Sequence, residues 1–150
     1  MAVILYEPEI PPNTGNVARL CAGLDLTLHL VEPLGFGLDD RHLKRAGLDY
    51  WPLVKLAVWP NWAAFKAAWT GGRLVATSAR SGLNFAQYRP APDDGLVFGP
   101  ETRGLPATIL EEADEVLHIP LKPGIRSLNL STTVGFLLGA ALALGRPSRV

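Results

Sequence analysis

Short apolar runs recur along this chain, and segments of helical character lie between most of them. Val3 to Tyr6, Thr27 to Val31, Lys55 to Val58, Arg73 to Thr77, Gly95 to Phe98 and Glu115 to Ile119 read as strands. The first is continuously apolar, as a strand covered on both faces would be. Between them, Asn13 or Thr14 can cap a helix running to about Leu24, after a loop from Glu7 to Pro12 stiffened by three prolines. Asp39 or Asp40 can open a short helix, DDRHLKRA, stopped by Gly47. Asn61 caps WAAFKAAW, which Gly71 and Gly72 close, and its stripe of Trp62, Phe65 and Trp69 reads as core. Pro106 starts a helix reaching Glu112. A last helix, from about Asn129 to Leu144, is apolar on nearly every face. Strands alternating with helices predict an α/β fold, a mostly parallel sheet flanked by helices. No repeat, low-complexity tract or linker interrupts residues 1–150, which are expected to form one domain.

Composition narrows the partners. Fourteen basic and fourteen acidic side chains leave no net charge, so a ligand held by bulk electrostatics alone is excluded, whereas local basic patches are not. Arg41, Lys44 and Arg45 share one helix face and form one such patch. Cys21 is the one cysteine and reads as a buried small apolar residue in a reducing compartment. His29, His42 and His118 are scattered and no CxxC occurs, so no metal is expected; His29 reads as a sheet residue with a satisfied ring nitrogen. MAVILYEPEI lacks the basic start of a signal peptide, and Leu130 to Leu144 is shorter than the ~20 residues of a membrane span. The expectation is a cytoplasmic protein with no membrane partner.

Two polar loops carry the candidate chemistry. FGPETRGLP, Phe98 to Pro106, follows an apolar strand and sets Glu101 and Arg103 between two glycines and two prolines. In the second, Lys122 to Ser131, Arg126 stands beside Ser127, Asn129 and Ser131 at a helix start; capping explains one of those oxygens, and three suggest a ligand. Ligands of parallel sheets bind beyond the carboxyl ends of strands, and Thr77, Gly99 and Ile119 stand at such ends. The phosphate and dinucleotide fingerprints GxxxxGK[ST] and GxGxxG are absent, as is the GxSxG serine elbow.

Three segments in this order, EIPPNTGNVAR (Glu9 to Arg19), FGPETRGLP and IPLKPGIRSLNLS (Ile119 to Ser131), resemble the three motifs of the SPOUT-class RNA 2′-O-methyltransferases. The opening LYEPEIPPNTGNVARLCA and the stretch KRAGLDY (Lys44 to Tyr50) resemble the branch that methylates the wobble nucleotide, C34 or U34, of tRNA. The resemblance spans nearly the whole chain. It implies a SPOUT fold with a C-terminal deep trefoil knot, S-adenosylmethionine as donor without a metal, an obligate homodimer and the tRNA anticodon stem-loop as substrate. By position it puts the donor on Thr77, Gly99, Ile119, Leu121, Ser127 and Leu128. It puts catalysis on Arg19, with Asn13, Glu101 and Asn129 at other polar motif positions. Arg19, Arg103, Lys122 and Arg126 would flank that pocket, and the helix Leu130 to Leu144 would lie in the dimer interface. The alternatives are 2′-O-methylation of another tRNA position or of ribosomal RNA, and a module that binds RNA without catalysis.

Overall fold

The structure, a computed structural model, describes residues 1–47 and 50–145. Leu48 and Asp49 of the KRAGLDY stretch lie outside the described residues. The element order is β1 (Ala2–Tyr6), α1 (Pro11–Gly23), β2 (Thr27–Val31), α2 (Arg41–Gly47), β3 (Lys55–Trp59), α3 (Trp62–Ala68), β4 (Leu74–Ser78), β5 (Leu83–Asn84), β6 (Gly95–Phe98), α4 (Ala107–Glu112), β7 (Glu115–His118) and α5 (Leu130–Gly145). Short 3₁₀ turns at Trp51–Leu53 and Phe85–Gln87 lie before β3 and after β5.

All seven strands form one sheet in the order β3-β2-β1-β6-β4-β7-β5, and every pairing is parallel. Successive side chains of a strand point to opposite faces, so each apolar run feeds two cores. Val3, Leu5, Leu96, Phe98 and Val75 pack with Val17, Cys21, Val134, Leu137 and Leu138 from α1 and α5. Ile4, Val97, Leu74 and Ala76 pack on the other face with Phe65 of α3 and Ile109 of α4. Trp62 and Trp69 flank Phe65, with ring centroids 5.1 and 5.5 Å away, so the aromatic stripe is core as expected. His29 accepts a hydrogen bond at its Nδ1 from the Trp59 indole at 3.0 Å, and burial lowers its pKa. Cys21 is wholly buried, which pushes its thiol up to about 12 and leaves it inert.

Two expectations change. Neither Asn13 nor Thr14 caps the first helix: α1 begins at Pro11, with Ile10 at the cap position and no side-chain cap bond. Proline needs no N–H in a first helical turn and its φ is already helical, so Pro11 and Pro12 start the helix instead of delaying it. The edge strand β5 was not anticipated; it is two residues long, in a polar stretch without alternation, and it exists because β7 offers it a partner. Other boundaries hold to within a residue or two, and Asp40 and Asn61 accept the capping bonds from His42 and Ala64.

Candidate functional site

The carboxyl ends of β4, β6 and β7 open onto a cleft of about 1050 Å³. Thr77 and Ser78 end β4, Phe98 leads into Gly99, and Leu117 leads towards Ile119. All six donor candidates, Thr77, Gly99, Ile119, Leu121, Ser127 and Leu128, line this cleft, although they come from three separate segments. Its wall is mixed: Leu105, Leu117, Ile119, Leu121 and Leu128 supply apolar surface beside polar side chains such as Thr77, Ser127 and Asn129. The Thr77 hydroxyl donates to the Val97 carbonyl at 3.0 Å, which ties β4 to β6 at the rim.

Two loops clamp one another at the mouth. Glu101 Oε2 accepts from the Glu9 amide at 2.8 Å, and Oε1 accepts from the Ile10 amide at 3.2 Å. In return, the Glu9 carboxylate accepts from the Thr102 amide at 3.2 Å and from its hydroxyl at 2.7 Å. Arg103 closes the clamp on Glu7. The Thr102 hydroxyl and amide hold Glu9 below its ordinary carboxylate value, while Glu7 raises Arg103 further above its own. The clamp exists because β1 and β6 are neighbours in register, so the loops that leave them run side by side.

A chain of amides extends from the clamp into the second polar loop. Asn13 Nδ2 donates to Glu101 Oε1 at 3.4 Å, and Asn129 Nδ2 donates to Asn13 Oδ1 at 3.0 Å. Asn129 Oδ1 accepts from the Ser131 hydroxyl at 2.7 Å and from the Thr132 amide at 3.3 Å, which caps α5. Asparagine suits both places because its amide donates on one side and accepts on the other. Asn13, Glu101 and Asn129, assigned from one motif each, thus form one connected row on the cleft wall. Glu101 has three acceptor bonds in use, so it organises its surroundings and is not a free base here.

Arg19 is not brought to that row. Six residues beyond Asn13 on α1, it is about 9 Å further along the helix and on a different face. It is exposed, and its guanidinium lies over the Tyr50 ring. Of the flanking cations, Arg103 and Arg126 line the cleft and Lys122 does not. Arg80, just past the end of β4, also lines it and was missed; extending the strand-end rule two residues beyond Ser78 would have found it. Neither Arg80 nor Arg126 has an ion-pair partner among the described residues. Among the described residues there is no cluster of His, Cys, Asp or Glu that could hold a metal ion, and no helix long and apolar enough to cross a membrane.

Residues 1–139 match the family model described as the SpoU rRNA methylase family. A tRNA (cytidine(34)-2′-O)-methyltransferase from Burkholderia ambifaria is 49% identical over 140 residues, covering 91% of this chain and 90% of that protein. A solved structure concerned with 2-OH methylation of C/U34 on tRNA superposes with a TM-score of 0.92 at 46% identity, over 95% of this chain and 94% of that one. The fold is also that of an AdoMet-bound rRNA methyltransferase from Sinorhizobium meliloti, with a TM-score of 0.85 at 24% identity over 95% of this chain and 55% of the other. With its three motif segments meeting on one cleft wall and its whole sheet matched, the chain belongs to the SpoU rRNA methylase family.

Proposed function

We propose that this chain transfers a methyl group from S-adenosylmethionine to the ribose 2′-OH of the wobble nucleotide, C34 or U34, in tRNA. The carrying observation is the Glu101–Asn13–Asn129 row, which joins the three motifs beside a cleft with a part-apolar wall. The high identity to a tRNA (cytidine(34)-2′-O)-methyltransferase over almost the full chain supports the choice of substrate.

The cleft suits the donor. Its volume is at the upper end for a small-molecule pocket, and apolar surface beside polar strand ends matches a flat base joined to a charged tail. When bound, S-adenosylmethionine supplies an electrophilic methyl on a sulfonium. Ile119, Leu121 and Leu128 would enclose its adenine and exclude water, while Thr77, Gly99 and Ser127 offer hydroxyl and backbone groups to its polar edges. Holding acceptor and donor in line is the main catalytic task of such a site, and positioning contributes up to about 7–11 kcal/mol in ideal cases. The Glu101 clamp and the Asn129 cap fix the two loops that would do this.

Arg19 then acts as a cation on the substrate. A guanidinium stays protonated in proteins, so it stabilises a developing alkoxide or holds the ribose and its phosphate. Helix α1, which carries it, packs on α5; a homodimer formed through α5 would set Arg19 beside the subunit seam, where it can reach substrate held by the other copy. Arg80 and Arg126 face the cleft and are suited to the phosphates of the anticodon stem-loop. The sheet order, with β7 between β4 and β5, is compatible with the C-terminal part being tucked as a deep trefoil knot. A cytoplasmic location follows from the substrate.

The test is nucleoside mass spectrometry of tRNA from cells with and without this protein, together with transfer by the purified chain to an anticodon stem-loop. The expected result is a 2′-O-methyl group at nucleotide 34 that depends on the protein. Methylation elsewhere, or none, overturns the reading.

A further inference from the structure

Arg19 is held by an aromatic ring and a hydroxyl, and no carboxylate among the described residues pairs with it. Its Nη2 donates to the Tyr50 hydroxyl at 3.2 Å, and its Cζ lies 4.5 Å from the centre of the Tyr50 ring. None of the ion pairs among the described residues involves it. A carboxylate partner would fix the guanidinium but cancel its charge towards a substrate. A ring face orients the planar group by cation–π attraction and leaves that charge uncompensated. Of the five N–H donors of an arginine, Tyr50 engages one, and no other side-chain acceptor among the described residues takes the rest.

The ring itself is anchored. The Tyr50 carbonyl accepts from the Leu53 amide at 2.8 Å, and the Trp51 carbonyl accepts from the Val54 amide at 3.1 Å. This closes the Trp51–Leu53 turn, and Trp51 packs against the main core. The turn also packs on α1, the helix that carries Arg19. Tyr50 itself stays 37% exposed, so the pair faces solvent and is open to a large ligand.

We propose that Tyr50 is a positioning residue for Arg19, holding its guanidinium before tRNA arrives in the orientation it uses on the ribose. This rests on the reading above, in which Arg19 acts on the substrate. A long, exposed arginine otherwise samples many rotamers and must lose them on binding; Tyr50 removes that cost in advance.

The test is a double-mutant cycle. Methyl transfer to tRNA is measured for wild type, Tyr50→Phe, Tyr50→Leu, Arg19→Ala and the double variant Tyr50→Leu/Arg19→Ala, with donor affinity and thermal melting measured alongside. Losing ring and hydroxyl together should lower kcat roughly tenfold, and losing the hydroxyl alone about threefold. Donor affinity and melting should stay at the wild-type level, which a merely structural role would not allow. The double variant should be no slower than Arg19→Ala, because Tyr50 works only through Arg19. Near-normal kcat in Tyr50→Leu beside an inactive Arg19→Ala, or losses that multiply in the double variant, overturns the positioning role and leaves the function intact. A wild-type chain that puts no methyl on nucleotide 34, or an Arg19→Ala variant with full activity, overturns the reading beneath it and this proposal with it.

Discussion

Asn129 donates to Asn13 across 116 residues of chain, at 3.0 Å, and Asn13 donates onward to Glu101. The capping residue of the last helix is thereby oriented by the first helix and by the loop after β6. This makes Glu101 the foundation of the cleft mouth. Removing its carboxylate in Glu101→Ala leaves the amides of Glu9 and Ile10 and the Asn13 side chain without their acceptor. The expected cost is about 1–3 kcal/mol in a urea melt, or roughly 2–4 °C of Tm per kcal/mol at this size. Donor affinity should fall as well, because both loops that line the cleft lose their tie.

Gly99 and Gly104 separate two uses of glycine in one loop. A Cβ at Gly99 would stand 2.4 Å from the backbone carbonyl carbon of Gly104 and the amide nitrogen of Leu105, which cannot move aside as a flexible side chain would. A Cβ at Gly104 meets nothing within 4 Å, although its φ of +67° is strained for other residues. Gly99→Ala should therefore displace the loop and weaken S-adenosylmethionine binding at least tenfold by calorimetry. Gly104→Ala should cost about 1–2 kcal/mol of stability and change affinity far less.

Much of the fold was legible because its signals are local. The central strands β1 and β6 are apolar runs covered on both faces, and Asp40 and Asn61 cap the helices they precede. Asn13 was misread as a cap because asparagine near a helix start usually is one. Its partners are 88 and 116 residues away, and no local pattern encodes them. The donor residues were placed by motif and strand-end reasoning, and they converge on one cleft. Arg19 was placed by motif alone, and the motif carries no information on which way its helix turns. Its contact with Tyr50 depends on a turn packed against α1, which is a tertiary fact.

The Arg73–Asp94–Tyr88 cluster predicts an acid limb of instability. Asp94 is wholly buried and accepts from Arg73 Nε at 3.1 Å, from Arg73 Nη2 at 2.8 Å, from the Ala91 amide at 2.9 Å and from the Tyr88 hydroxyl. Burial alone would raise its pKa, but Arg73, the Ala91 amide and Tyr88 together hold it below the ordinary value of 3.8. A carboxyl depressed in the folded state adds stability that is complete above 3.8 and is lost as the pH falls to the folded value. Urea melts should therefore weaken below about pH 4. Asp94→Asn should flatten that limb and cost on the order of 2–4 kcal/mol at neutral pH, since Arg73 and Tyr88 lose a buried charged partner.

Arg80 and Arg126 line the cleft without an ion-pair partner among the described residues, whereas Arg103 is engaged by Glu7. If both reach phosphates, each contributes to counter-ion release. Binding of an anticodon stem-loop should weaken steeply with salt. Arg80→Ala and Arg126→Ala should each lower the slope of log affinity against log salt by about 1. Donor affinity separates the alternatives: a loss of S-adenosylmethionine binding with an unchanged salt slope would assign the residue to the donor carboxylate.

Helix α5 carries the last prediction. Phe136 is 44% exposed and Leu144 is 53% exposed on a helix with no charged residue in its described length, and Phe136 packs at a steep angle against Phe85, 4.8 Å between centroids. Gly139 faces open space, so another backbone can approach closely there. An apolar helix face of this kind is covered in stable proteins, and a second copy of α5 would cover it. Wild type should sediment as a dimer at micromolar concentration, and Phe136→Glu should shift it towards monomer without unfolding it. Because α5 starts at the Asn129 cap that joins the cleft row, the same variant should also bind S-adenosylmethionine more weakly. A monomeric wild type, or a dimer indifferent to Phe136→Glu, would remove α5 from the interface.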